Sequence, residues 1–186
     1  MLCGFLDRLR FVATVKLSQT ATPASSRSDG RVLQITVGII SDTHGLMRPE
    51  ATDALRGSDL IIHAGDVGNP AIIDQLRAIA PTFVVRGNID KGDWAASLPM
   101  TELVEVGGLF FYVLHEISQL DLDPAVAGFA AVVFGHSHVP SMETREGVLF
   151  LNPGSAGPRR FKLPVAVARV IVSNGQARPE IVQLQV

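Results

Sequence analysis

VLQITVGIISDTH, residues 32–44, decides the fold. Val32–Ser41 is a β-rich run that ends abruptly at Asp42-Thr43-His44. The same pattern recurs downstream. Asp59–Ala64 reads as a buried strand ending at Gly65-Asp66, and Thr82–Arg86 as a third strand ending at Gly87-Asn88. Between them, Pro49–Arg56 reads as a short helix with Pro49 near its first turn. Pro70–Ala80 reads as an amphipathic helix, because Ile72, Ile73, Leu76 and Ile79 fall at helical spacing. Strand, helix, strand, helix, strand predicts right-handed βαβ units and a parallel sheet.

The second half reads mainly as strands. Glu102–Val106 and Leu109–Leu114 flank Gly107-Gly108, a hairpin signal. Asp123–Gly128 suggests a short helix, and Ala130–Phe134 a strand ending at Gly135-His136-Ser137-His138. Ser141–Thr144 pairs with Val148–Leu151 across Arg145-Glu146-Gly147. Val165–Val172 and Arg178–Leu184 form a last hairpin around Asn174-Gly175. The expected fold class is α/β: a two-sheet β-sandwich flanked by helices, in four layers, αββα. The expected domain covers residues 32–186.

Residues 1–31 differ from the rest. Their first half mixes apolar and basic side chains, and residues 18–30 are rich in Ser, Thr, Ala and Gly. A disordered extension or an upstream start codon is expected there, with a targeting peptide as the alternative. The 186-residue chain has 47% hydrophobic and 18% charged residues, which fits one globular domain. No apolar run reaches the ~18–20 residues that span a bilayer. The net charge is −2, so no general attraction to nucleic acid or anionic membrane is implied. Residues 1–36 carry five basic and two acidic side chains, and the remainder 11 basic and 16 acidic. The acidic excess therefore lies with the polar clusters. The single cysteine, Cys3, excludes an internal disulfide and points to a reducing, cytoplasmic setting.

The chemistry collects at the strand ends, where open α/β sheets bind ligands. Taken singly, the clusters have plain structural readings. Asp42 could cap a helix, Gly-Asp and Gly-Asn pairs are turn material, and a lone histidine is usually a hydrogen-bonded core residue. Together they are a metal-site inventory, since all five histidines fall at strand ends. Asp42/His44 and His136/His138 stand at i, i+2, which in extended backbone points both side chains to one side. The glycines before Asp66, Asn88 and His136 allow turns that other residues resist. Asp42, His44, Asp66, Asn88, His115, His136 and His138 are too many ligands for one tetrahedral ion. They suit two divalent ions bridged by Asp66. Nitrogen and oxygen donors without thiolate favour borderline ions. Manganese is expected, with iron, zinc, nickel or cobalt as alternatives.

Asp42-x-His44, Gly65-Asp66, Gly87-Asn88, His115 and Gly135-His136-x-His138 resemble, in order, the motifs of the calcineurin-like metallophosphoesterases. Gly87-Asn88-Ile89-Asp90 and Asn152-Pro153-Gly154-Ser155 resemble the small single-domain phosphodiesterases related to the retromer subunit. The resemblance covers about residues 35–185. It implies a first metal on Asp42, His44, Asp66 and His138, and a second on Asp66, Asn88, His115 and His136. It also implies catalytic roles for Asn88 and His115, with Asn88 near the substrate phosphate. The Asn152–Ser155 loop is expected to shape nearby backbone. Two departures stand out. Ile89 follows Asn88, where many superfamily enzymes place a histidine, a candidate general acid. Glu116-Ile117 follows His115, where the subgroup often continues as Gly-His. Glu116 is then a proton donor, a group that narrows the site, or a solvent-facing residue.

The resemblance implies hydrolysis of small phosphodiesters by a hydroxide between two ions about 3.5–4 Å apart. Rival readings are a phosphomonoesterase, a nuclease, or a non-catalytic protein-binding scaffold of the same fold. Against a nuclease, only Arg159, Arg160 and Lys162 cluster, and such a trio reads as a solvated loop. The expected partner is a small phosphoester, with no membrane and no long nucleic acid; a homo-oligomer stays open.

Overall fold

The computed structural model describes residues 34–186 and the backbone of Val12–Thr14. That short strand, β1, pairs in parallel with β5 (Thr101–Val106). It falls inside the expected N-terminal extension; the rest of that extension lies outside the described residues. Among the described residues, no helix is long and apolar enough to cross a membrane.

The first half folds as the alternating pattern requires. β2 (Gln34–Ile40), β3 (Leu60–His63) and β4 (Thr82–Val84) are parallel neighbours. α1 (Pro49–Leu55) and α2 (Pro70–Arg77) make the crossovers. Each helix opens with its proline, and the Asn69 side chain caps α2 by accepting from the Ala71 N–H at 3.0 Å. The final hairpin, β10 (Ala166–Ser173) and β11 (Gln176–Gln183), adds antiparallel to β2. The sheet order is β11-β10-β2-β3-β4.

The second sheet runs β1-β5-β6-β7-β9-β8. It contains β6 (Leu109–Leu114), β7 (Ala131–Val133), β8 (Ser141–Arg145) and β9 (Val148–Asn152). The hairpins β5–β6 and β8–β9 are antiparallel, whereas β6, β7 and β9 run parallel. Strand alternation sorts side chains between layers. Val37, Ile39, Leu60 and Ile62 face Phe111, Val113, Val133 and Leu151 in the core between the sheets. Ile40 and Ile61 point outward and pack under Leu55, Ile72 and Leu76 of the helices. Truncating a buried side chain such as Phe111 to Ala would cost about 3–5 kcal/mol.

The fourth layer is thin. It consists of a 3₁₀ turn, Ile117–Gln119, and the loop that follows, laid over Tyr112, Leu114 and Val132. Phe129 stacks on Tyr112 with ring centroids 5.2 Å apart. Asp123–Gly128 forms successive turns rather than the expected helix. The Asp123 carboxylate accepts from the Ala125 and Val126 N–H groups, and the chain reverses at Gly128 with φ +76°. A four-residue helix, α3 (Asp93–Ala96), was not expected, because it is too short to carry a periodic signal.

The parallel strands of both sheets end on the same edge of the sandwich. Asp42, Asp66 and Asn88 follow β2, β3 and β4, while His115 and His136 follow β6 and β7.

Candidate metal centre

The loops at this edge stay hydrogen-bonded beyond the strands. Asp42 N–H donates to Gly65 O at 3.0 Å, His44 N–H to Asp66 O at 3.0 Å, and Gly135 N–H to His115 O at 2.9 Å. Within these loops the backbone turns left-handed at five of the seven expected ligands. The φ angles are +54° at Asp42, +46° at His44, +57° at Asp66, +68° at His136 and +60° at His138. Such a conformation costs about 1 kcal/mol or more per residue, although Asp and His tolerate it better than most. The i, i+2 pairs therefore converge by a different route from the extended backbone expected. Each ligand sits in a tight turn, and the residue between supplies the spacing. The glycines also divide. Gly65 uses its freedom, with φ +91°. Gly87 and Gly135 have no positive φ and are needed for room: a Cβ at Gly135 would lie 2.0 Å from Ser41 Oγ and 2.8 Å from Asp42 Oδ2.

The donor atoms form one connected cluster. His44 Nε2 and His138 Nε2 are 3.2 Å apart, and Asp42 Oδ1 is 3.4 Å from His138 Nε2. On the other side, His115 Nε2 lies 3.3 Å from Asp66 Oδ1 and 3.0 Å from Asn88 Oδ1. His136 Nδ1 is also 3.0 Å from Asn88 Oδ1. Asp66 reaches both sides, because its Oδ2 lies 3.8 Å from His44 Nε2. Ligands about 2.0–2.2 Å from one ion sit roughly 3.0–3.5 Å from each other, so these spacings suit coordination. Donors of Asp42, His44 and His138 fall within 4.8 Å of one another, as do those of Asp42, Asp66 and His115. Asp42 is thus within reach of both groups, not of the first alone.

One buried atom tests whether a cation fits. Asp42 Oδ2 accepts from the Ser41 hydroxyl at 2.7 Å and the His136 N–H at 3.1 Å, whereas Oδ1 is buried with no hydrogen-bond partner. A buried carboxylate oxygen needs a proton or a cation. The His115 ring carries the same requirement. Its Nδ1–H donates to Ala64 O at 2.8 Å, which turns Nε2 toward two oxygens. The residues fit a pair of ions.

Protonation follows from this crowding. Burial pushes Asp42 up to about 6, against the hydrogen bond from Ser41. Burial also acts to raise Asp66, but its hydrogen bonds from His115 and Ile89 hold it below the usual range. His115 is raised. Burial opposes its charge, but the bonds to Asp66 and Ala64 prevail. Burial, then the charge of Arg160, lowers His138 to about 4. Burial lowers His44 as well, partly offset by Asp66. Both rings are therefore neutral near pH 7 and present lone pairs.

Several supporting residues carry no signal as ligands. Asn152 Nδ2 donates to Gly135 O at 2.8 Å and Ser137 Oγ at 3.1 Å, and Ser155 Oγ donates to Asp42 O at 2.9 Å. The Asn152–Ser155 loop thus braces two ligand loops, as expected. Asp90 accepts from the N–H groups of Val67, Gly68 and Gly87, tying the Asp66 and Asn88 loops together. The motif Gly-Asn-x-Asp was the available sign of it. His63 is fully buried beneath the cluster, with its pKa lowered to about 4 by burial. Its Nδ1 accepts from the Gly65 N–H, so Nε2–H donates to Thr43 Oγ1, whose hydroxyl passes on to Val67 O. It stands with the other histidines in sequence and holds the loops rather than an ion.

Glu116 is settled by its partners. Its oxygens accept from Ser118 Oγ at 2.6 Å and Gln119 Nε2 at 3.0 Å, and these bonds hold its pKa below the usual range. It is a half-buried, ionised group and a poor proton donor. The basic trio also separates. Arg159 donates to Val186 O, whereas Arg160 turns back to place Nη2 3.4 Å from His44 Nε2. Arg160 is exposed, as a solvated loop requires, but its contact with His44 was not readable because sequence could not show which way the loop folds.

Known proteins resemble this chain in sequence and in fold. The chain is 34% identical over 147 residues to a probable metallophosphoesterase of Methanothermobacter thermautotrophicus, covering 72% of this chain and 85% of that one. The fold superposes on an archaeal phosphodiesterase with a TM-score of 0.67 at 22% identity, covering 81% of this chain and all of the other. It also superposes on Vacuolar Protein Sorting 29 of Cryptosporidium parvum, with a TM-score of 0.65 at 17% identity, covering 82% and 99%. The compact fold expected from the sequence is therefore the one observed. With residues 35–175 matching its domain from the strand before Asp42 to the last hairpin, the chain belongs to the calcineurin-like phosphoesterase superfamily.

Proposed function

We propose that the chain hydrolyses small phosphodiesters with water activated at two divalent cations, manganese first among them. One observation carries this reading: the two oxygens of Asp66 face different histidines, Oδ2 toward His44 and Oδ1 toward His115. A carboxylate so placed joins two ligand sets. When bound, an ion pair lowers the pKa of water and offsets charge on the attacking and leaving oxygens of an in-line displacement.

The chain's own residues do the rest. Asp42, His44 and His138 hold one side; Asn88, His115 and His136 hold the other. Asn88 is exposed and commits Oδ1 to the two rings, which leaves its NH₂ to donate to a phosphate oxygen. The Ala64 carbonyl fixes the His115 ring. Ile89 cannot protonate a leaving group, and Glu116 is ionised and tied to its neighbours. Turnover should favour esters with good leaving groups, such as aryl diesters. Leu46, Ile89 and Val139 are exposed apolar side chains one or two residues from candidate ligands. They favour a small apolar ester over a long polyanion. The single cysteine, Cys3, supports a reducing, cytoplasmic setting for this activity.

The test is chelation, then reloading with manganese, iron, zinc, nickel or cobalt, against a diester and a monoester of the same aryl alcohol. Metal-dependent turnover with the diester preferred is expected. Preference for the monoester makes the chain a phosphomonoesterase. Activity unchanged after complete metal removal rejects the mechanism. A metal-loaded protein inert to every phosphoester but binding a protein partner makes it a scaffold.

A further inference from the structure

The loop after β9 is strapped onto the loop that carries Asp42 and His44. Ala156 N–H donates to Ser41 O at 3.1 Å and Gly157 N–H to Asp42 O at 3.3 Å. Arg48 Nε donates to Gly157 O at 3.0 Å from the outside. Contact is so close that a Cβ at Gly157 would lie 2.2 Å from Thr43 O. The chain then turns, closed by Leu163 N–H donating to Arg160 O at 3.0 Å. The backbone of Arg160 is therefore held relative to His44, while its side chain is exposed.

That side chain is in an unusual position. A guanidinium is always charged. Among the described residues, no carboxylate lies within ion-pair distance of Arg160. Its recorded contact is to His44 Nε2, at 3.4 Å. This is the nitrogen the site offers to a cation. A cation that takes the His44 lone pair removes the acceptor from Arg160 and sets a second positive charge beside it. The guanidinium then borders the open side of the cluster with its donors unmatched, an arrangement that an anion completes. Phosphate suits it, because a guanidinium can donate two parallel N–H bonds to two of its oxygens.

We infer that Arg160 anchors the substrate: with the centre loaded, its guanidinium donates to the non-bridging phosphate oxygens on the His44 side, opposite Asn88. This rests on the two-ion reading above. It makes Arg160 a binding and specificity residue, one that adds charge complementarity beside the ions.

Manganese-loaded wild type, Arg160→Ala and Arg160→Lys test it by calorimetry with inorganic phosphate, manganese titration and steady-state kinetics on an aryl phosphodiester. In Arg160→Ala, phosphate affinity should fall on the order of 10- to 100-fold, as for loss of a charge-assisted hydrogen bond. KM should rise by a similar factor, with kcat changed less and manganese affinity kept within about twofold. Arg160→Lys should recover part of the phosphate affinity but not all, since an ammonium cannot bind bidentately. Unchanged phosphate affinity in Arg160→Ala with both ions bound overturns the assignment alone. So does a loss of manganese affinity large enough to explain the weaker phosphate binding. Wild-type protein that takes up no ions overturns the two-ion reading and the assignment with it.

Discussion

The two ends of the sandwich use left-handed backbone for opposite purposes. At the far end, three hairpins turn through paired residues of positive φ: Gly107-Gly108, Glu146-Gly147 and Asn174-Gly175. A Cβ added at Gly108, Gly147 or Gly175 would meet nothing within 4 Å. These turns connect strands and follow ordinary turn chemistry. At the near end, positive φ falls on Asp42, His44, Asp66, His136 and His138, four of them deeply buried or nearly so and packed against neighbouring loops. There the residue type was selected for its donor atom, and the backbone accepts the strain. Left-handed geometry alone thus marks no function. It becomes informative when it coincides with buried, ionisable side chains.

The largest expected effect should come from Asp66, the carboxylate that faces both sides. Asp66→Ala should lower metal-dependent turnover on the order of 10³-fold or more and abolish any rise in melting temperature on adding manganese. Retained metal-induced stabilisation would break the distinction between the two ends. Next comes Asp42, whose folded pKa of about 6 lies above its ordinary value of 3.8. Its contribution to the stability of metal-free protein is full below about pH 4 and is lost as pH rises through about 6. The loss is about 3 kcal/mol by pH 7. Asp42→Asn does not titrate, so in chelator its stability relative to wild type should grow by that order between pH 4 and 7. Urea melts at the two pH values check this.

Two glycine substitutions sharpen the comparison further. Gly135→Ala presses on Ser41 and Asp42 and should cost about 1–3 kcal/mol, with a matching loss of manganese affinity by titration. Gly147→Ala, at φ +82° in open space, should cost only about 1 kcal/mol from backbone strain, with metal binding unchanged. Equal effects of the two on metal affinity would show that the near end is no more exacting than the far one.

Most of this is legible in sequence because the ligands stand directly after the strands. The runs ending at Asp42, Asp66, Asn88, His115 and His136 placed those residues on one edge before any contact was known. The hairpin at Asn174-Gly175 was equally plain. What escaped depended on distance across the chain. His63 looks like the other histidines, yet its ring is taken up by Thr43 and Gly65. Arg160 looks like surface, yet a loop tied down at Gly157 carries it to His44, more than a hundred residues away. The left-handed route to the i, i+2 pairs was hidden for a simpler reason: residue spacing does not encode the sign of φ. Asp123–Gly128 failed as a helix because its side chain and glycine signals are equally those of a turn.

The ligands come from both layers. Asp42, His44, Asp66 and Asn88 hang from the five-stranded sheet, and His115, His136 and His138 from the six-stranded one. Ions held among them would rivet the two halves together at one rim, while toward the opposite rim Ile35, Val106, Leu109 and Val172 pack together between the sheets. Chelation would then loosen the molecule like a book opened from its clasp, and faster amide exchange along β3 and β6 than along β10 and β11 would record the opening.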